Sequence, residues 1–328
     1  MPVDQRRYGH EIDLDRPYPC RVAAIDRLIR EALGLYRTPP LRPLVSATLR
    51  LLPVGTSRSA LVAYELARMQ AMSGDESAAM ATLVKASDRG LWWAPELMVS
   101  EAAFGALSER DAFKEIVRQS TRLRSAARAR PRMVVFEPAG EPRAVLLVLH
   151  PRNGRAGAFA GHWRDAAGMG YRVVVPDSGQ LFGIDTFCWD DIDSSLLQVQ
   201  ESVQANRPQG KEWPIVLAGF SQGAALAIWL ALSGQIPARK FLAINPGFAT
   251  IPPIDSFVSE AHARHVRGRL LVGELDGDLL EASRLSDRLL RAGLDVSLEK
   301  VMGLGHEMPR PFRPHLTRML SELEGAGS

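Results

Sequence analysis

Pro214-Ile-Val-Leu-Ala-Gly-Phe-Ser-Gln-Gly-Ala-Ala-Leu-Ala227 is the stretch whose reading decides the fold. An apolar, β-branched segment runs through Gly219-Phe220-Ser221-Gln222-Gly223 into an alanine-rich one, so strand, sharp turn and helix follow without a linker. G-x-S-x-G in that setting is a nucleophile elbow, a strained turn that exposes a serine hydroxyl at a strand end. The strain dictates the flanking residues: the positions two before and two after Ser221 must lack side chains, and Gly219 and Gly223 do. The helix that opens after Ser221 aims its free N–H groups and positive dipole end at the reacting centre. An ordinary strand–helix connection with a solvated serine is the competing reading, and it survives only where partner groups are missing.

A serine hydroxyl becomes a nucleophile when a base accepts its proton and a third group orients that base. Behind such an elbow the chain order is serine, acid, histidine, each at a strand end. Leu270-Leu-Val-Gly273 runs into Glu274-Leu-Asp276-Gly-Asp278, and the next β-rich segment ends in Met302-Gly-Leu-Gly-His306. His306, in a Gly-flanked loop, is the candidate base. Asp276 is the candidate acid, with Glu274 and Asp278 close enough to compete. A metal site in this acidic loop is the rival, but no histidine stands nearby at ligand spacing. His262 and His265 share an i, i+3 spacing without a carboxylate or cysteine motif and read as a surface pair. No metal and no cofactor is expected.

Around the elbow, short β-branched runs alternate with helical patterns, the signature of an α/β fold with a mostly parallel sheet flanked by helices. Strands are expected near 133–137, 144–149, 172–175, 215–218, 241–244, 269–272 and 297–301, with Gly140-Glu-Pro142 as a hairpin turn between the first two. Helices fall near 161–169, 194–206, 222–232, 283–292 and 312–323. Upstream of Arg124 the pattern changes to helical periodicity, in Val22-Ile25-Leu28-Ile29 and in Leu61-Tyr64-Leu66-Ala67. Helix, Gly74-Asp75 turn and alanine-rich helix to Gly90 make an antiparallel hairpin. Ser108-x-x-Asp111 reads as the N-cap of a last helix through Arg122. The expected division is an all-α domain over 1–125 and an α/β domain over 126–328.

The chain has 328 residues, 46% of them hydrophobic, which is enough to bury a large core over two domains. No apolar run approaches the length of a membrane span, and Met1–Arg16 has no apolar signal core, so a cytoplasmic location is expected. Cys20 and Cys188 imply no disulfide framework. The net charge of +3 is small, and its densest basic run (Arg118, Arg122, Arg124, Arg128, Arg130, Arg132) lacks interleaved aromatics. It reads as a solvated helix end, and no nucleic-acid partner is expected.

Residues from about 144 to 320 resemble the carboxylesterase/phospholipase and acyl-protein thioesterase branch of the α/β-hydrolase superfamily. The resemblance rests on Leu149-His150 before a glycine-bearing loop, Gly219-Phe-Ser-Gln-Gly223, Gly273-x-x-Asp276 and Gly305-His306. It implies Ser221, Asp276 and His306 as a catalytic triad, with main-chain N–H groups of Arg152 and Gln222 receiving the oxyanion. The implied activity is cleavage of carboxylic esters or thioesters through an acyl-enzyme, on a small-molecule ester or acyl substrate. Phe159, Phe248 and Met308 are candidates for the substrate pocket, each weighed against plain core packing. The chain departs from the family at Pro151, where glycine is usual, and at Ala224-Ala225. Trp189-Asp190-Asp191 resembles a largely structural Trp-x-Asp segment.

The hairpin over Tyr64–Gly90, with the tail from Pro95 to Val117, resembles a tetratricopeptide repeat, although one clear repeat is fewer than a free-standing array needs. That likeness supports the alternative function, a weakly catalytic or non-catalytic hydrolase-like scaffold whose N-terminal helices bind a protein partner. Self-association through those helices is a further expectation.

Overall fold

The computed structural model describes residues 39–41, 43–44, 47, 56–207 and 213–325. The Val22–Ile29 periodicity and Cys20 lie outside them. Two compact units emerge: one holds the described residues up to Ala129 together with Leu181–Thr186, and the other holds Arg130–Gln180 and the described residues from Phe187 onward.

In the helical unit, α1 (Thr56–Met72) and α2 (Glu76–Asp88) are joined by a turn through Gly74. Asp75 caps α2, its carboxylate accepting from the Ala78 N–H at 2.9 Å. Small residues let the two helices approach: Ala60, Tyr64 and Ala67 share a buried core with Ala79, Leu83 and Ala86. The Thr82 hydroxyl donates to Gln70 Oε1 at 2.8 Å across the pair. After α3 (Pro95–Ser100) and a 3₁₀ turn at Ala102–Leu107 comes α4 (Asp111–Ala126).

The expected cap at Ser108 is corrected here. Arg110 occupies the N-cap without a side-chain bond, and the Ser108 hydroxyl donates to the Gly105 carbonyl, closing the 3₁₀ turn instead. Ile184, from the short segment that belongs to this unit, packs against its core. In the basic run, Arg118 and Arg122 pair with Glu115, and Arg124 pairs with Glu96.

The second unit carries a seven-stranded sheet in the order β1-β3-β2-β6-β7-β8-β9. Its strands are β1 (Met133–Phe136), β2 (Ala144–Leu149), β3 (Tyr171–Pro176), β6 (Ile215–Phe220), β7 (Lys240–Ile244), β8 (Arg267–Gly273) and β9 (Asp295–Val301). All neighbours are parallel except β1, which runs antiparallel to β3. β4 (Gln180–Gly183) and β5 (Thr186–Cys188) form a separate two-stranded ladder. Every residue of β2 is buried, as a strand covered on both faces and flanked by neighbours requires.

That demand corrects the expected hairpin at Gly140-Glu-Pro142. β2 takes two parallel neighbours, β3 and β6, and β1 is displaced to the outer side of β3. The flanking helices are α5 (Ala156–Phe159), α6 (Ile192–Ala205), α7 (Gln222–Ser233), α8 (Val258–Ala263), α9 (Leu279–Arg291) and α10 (Arg313–Gly325). The segment Ala160–Met169 is 3₁₀ rather than α. α7 is buried on all sides, which its run of alanines permits. Among the described residues no helix is long and apolar enough to cross a membrane.

Register brings the chemistry together. Leu149 of β2 pairs with Gly219 of β6, Phe220 with Ile244 of β7, and Gly273 of β8 with Val301 of β9. The loops that follow these residues therefore leave the same carboxyl edge of the sheet, the usual seat of ligands in open α/β sheets.

Candidate active site

Ser221 sits between β6 and α7 at φ 56° and ψ −125°, a region that side-chain-bearing residues rarely adopt. Its N–H donates to the Ile244 carbonyl at 3.0 Å, and its own carbonyl accepts from Gly247 at 3.1 Å. The flanking glycines are forced by contact: a Cβ on Gly219 would lie 2.4 Å from the Gly223 carbonyl carbon, and one on Gly223 would lie 2.2 Å from the Leu149 oxygen.

His306 Nε2 lies 2.9 Å from Ser221 Oγ, and His306 Nδ1 lies 2.8 Å from Asp276 Oδ2. The other Asp276 oxygen accepts from the Asp278 N–H at 2.9 Å, so both lone-pair faces of this buried carboxylate are engaged. Of the competing acids, Glu274 turns away and accepts from the Gly303 N–H at 2.9 Å. Asp278 stays close: one of its carboxylate oxygens is within 4.8 Å of a His306 ring nitrogen and of an Asp276 oxygen. Burial pushes the Asp278 carboxyl up from its ordinary range, the Asp276 charge adds to that, and His306 opposes it. The Asp276 side chain is 1% exposed and that of His306 41%, so the anchored end of the line is dry and the working end meets water.

Asn245, which the sequence reading passed over, clamps the two loops. Its Nδ2 donates to the carbonyls of Gly305 (3.2 Å) and Glu307 (2.8 Å), and its Oδ1 accepts from the Gly273 N–H at 2.7 Å. A buried asparagine at the end of β7, just before Pro-Gly, is the signal that was available.

The loop after β2 is built around His150 and Pro151. Pro151 starts a turn, its carbonyl accepting from the Gly154 N–H at 2.9 Å, while Asn153 takes φ 59°. The Arg152 guanidinium grips Asp190 through two bonds of 3.0 and 2.6 Å. Gln222 Nε2 donates to the same carboxylate at 2.7 Å, and Gln222 Oε1 accepts from the Trp189 N–H at 2.9 Å. Burial opposes ionisation of Asp190, but the bonds from Arg152 and Gln222 outweigh it and hold the carboxyl below its usual range. The first loop, the elbow and the Trp189-Asp190 segment are thus locked to one another through side chains.

His150 is buried, with Nδ1–H donating to the Pro151 carbonyl at 2.8 Å and Nε2 accepting from the Ser178 N–H at 3.1 Å. The Trp189 indole N–H donates to the His150 carbonyl at 3.0 Å. Burial drives the His150 pKa from 6.5 down to about 4. The unfolded chain therefore binds a proton near pH 6.5 and the folded protein only near pH 4. The stability this neutral ring contributes is complete above about pH 6.5 and is lost as pH falls toward 4, amounting to about 3 kcal/mol. Urea unfolding at pH 7 and pH 4.5 should show that loss, and His150→Gln should show a shallower dependence.

Phe220 places its ring 5.2 Å from that of His306, and Phe159 stands one ring behind it, 6.4 Å from Phe220. Met308 is buried, and Phe248 is half-buried against the sheet core. His262 and His265 are exposed, and His265 lies beyond the end of α8 at φ 57°.

No protein-family model and no curated protein matches the chain. Solved structures do. An uncharacterized protein from Bacillus cereus aligns over 92% of this chain and 99% of its own, at 19% identity and a TM-score of 0.51. That likeness shows the fold. Esterase PE8 aligns over 60% of this chain and 99% of its own, with 18% identity and a TM-score of 0.48. Acyl-protein thioesterase 2 from Zea mays aligns over 58% and 97%, with 17% identity and a TM-score of 0.47. The mostly parallel sheet with helices on its faces is consistent with an α/β-hydrolase fold.

Proposed function

We propose that the protein is a serine hydrolase that cleaves carboxylic esters or thioesters through an acyl-enzyme. The observation that carries this reading is the unbroken line Ser221 Oγ, His306, Asp276, with contacts of 2.9 and 2.8 Å. Ser221 Oγ attacks the acyl carbon as its proton passes to His306 Nε2, while Asp276 holds the Nδ1–H and stabilises the imidazolium. The oxyanion takes hydrogen bonds from the main-chain N–H of Gln222, at the positive end of α7, and of Arg152. Collapse expels the alcohol or thiol, which takes the proton back from His306. Water, reaching the exposed side of the imidazole, then attacks the acyl-enzyme with His306 as base. Collapse breaks the acyl–Oγ bond and releases the carboxylic acid as His306 returns the proton to Ser221.

The reaction so written uses no metal or cofactor, and Phe159, Phe248 and Met308 are assigned to the acyl pocket. The aromatic sequence Phe159, Phe220, His306 supports the first of these. A fluorophosphonate probe should label the protein at Ser221, identified by peptide mass, and should leave Ser221→Ala unlabelled. Equal labelling of the two proteins would sink the assignment.

The helical hairpin α1–α2 is read as tetratricopeptide-like, supported by its Asp75-capped turn and its alanine contact, and as the surface for a protein partner or a second copy. A cytoplasmic location belongs to the same reading, supported by a buried Cys188 that forms no disulfide among the described residues.

A further inference from the structure

We propose that Asp278 selects substrates carrying a protonated amine close to the scissile carbonyl, an inference that rests on the serine-hydrolase reading above. Asp278 occupies the N-cap of α9, where an aspartate ordinarily accepts from the first free N–H groups of the helix, yet its side chain makes no capping bond. The carboxylate is turned to the reaction centre instead. A carbon built on Gly247 in Cβ geometry would lie 3.4 Å from Ser221 Oγ and 3.7 Å from Asp278 Oδ2. Both are ordinary contact distances, so a substrate atom beside Gly247 touches the nucleophile and this carboxylate at once.

Among the described residues the titratable groups acting on Asp278 are Asp276 and His306. No lysine or arginine among those residues pairs with it, although it is partly buried. A half-buried carboxylate beside a second carboxylate is poorly satisfied, and a cation brought in by the substrate corrects that. An anion at the same place meets repulsion at short range and low dielectric. An ammonium two to four bonds from the carbonyl carbon has the reach to meet Oδ2 while that carbon meets Oγ. It can belong to the acyl group or to the leaving alcohol.

Two isosteric pairs of esters distinguish these sources on the full-length protein. For the acyl side, p-nitrophenyl esters of alanine and of isobutyric acid differ by an ammonium in place of a methyl group. For the alcohol side, butyrates of 2-(dimethylamino)ethanol, protonated near neutral pH, and of 3-methylbutanol differ by nitrogen in place of carbon. The readout is the charged-to-neutral ratio of kcat/KM in the parent, divided by the same ratio in Asp278→Asn, so that intrinsic ester reactivity cancels. That quotient should be about tenfold or more for at least one pair. Asp278→Leu, checked by thermal melting, should act the same way if Asp278→Asn is poorly folded. Quotients within about twofold of unity for both pairs, in a protein that hydrolyses the neutral esters and is labelled by fluorophosphonate, would overturn the role of Asp278 alone. A protein neither labelled nor active on any of the four esters would overturn the hydrolase reading and this inference together.

Discussion

Alanine at Ser221 is expected to lower kcat on an activated ester by about 10⁴- to 10⁶-fold. KM should move far less, because in the proposed mechanism the hydroxyl contributes to the transition state and little to ground-state binding. His306→Ala should cost a similar factor, and the double variant should lose nothing further. A nucleophile without its base and a base without its nucleophile are equally idle. The residual rate over water would come from the Gln222 and Arg152 amides and from substrate binding. Steady-state kinetics on the parent and the three variants, with protein concentration fixed by absorbance, decide the matter. Multiplicative losses in the double variant would mean that Ser221 and His306 act independently, against the 2.9 Å contact between them.

The second large effect is on the fold itself. Alanine at Gly223 would place Cβ 2.2 Å from the oxygen and 2.5 Å from the carbonyl carbon of Leu149. Both obstacles are backbone, so no rotamer relieves them, and α7 has to lift from the C-terminal end of β2. The expected loss exceeds about 4 kcal/mol, among the largest a single substitution produces. For the sheet-bearing unit, about 200 residues long, that lowers Tm by roughly 10 °C. Gly277→Ala is the control, since a Cβ there meets nothing within 4 Å. A Gly223→Ala protein that melts with the control would show that the elbow and β2 are further apart than described.

What could be read from the sequence was whatever is written locally. The elbow declares itself within five residues, because its strain forbids side chains at Gly219 and Gly223. An acid within 274–278 and His306 follow from chain order and from the ends of apolar runs. The choice among Glu274, Asp276 and Asp278 could not be read, because it depends on which way three neighbouring side chains turn. Nor could the Arg152–Asp190–Gln222 lock, whose members are common residue types far apart in the chain and joined only by register. The outer position of β1 was hidden for a related reason: a Gly-Glu-Pro turn signals a reversal but not which strand will be the partner. β4 and β5 are too short to carry a period, and Ser108 shows that a capping pattern yields when an adjacent 3₁₀ turn claims the same hydroxyl.

Ser221 holds a left-handed backbone that glycine would adopt freely and serine adopts at a cost on the order of 1–3 kcal/mol. The surrounding contacts to Ile244 and Gly247 keep it there. The fold would therefore be easier to maintain without the residue proposed to do its work. At this position durability and turnover pull in opposite directions, and a stability screen blind to activity would be drawn to replace the serine.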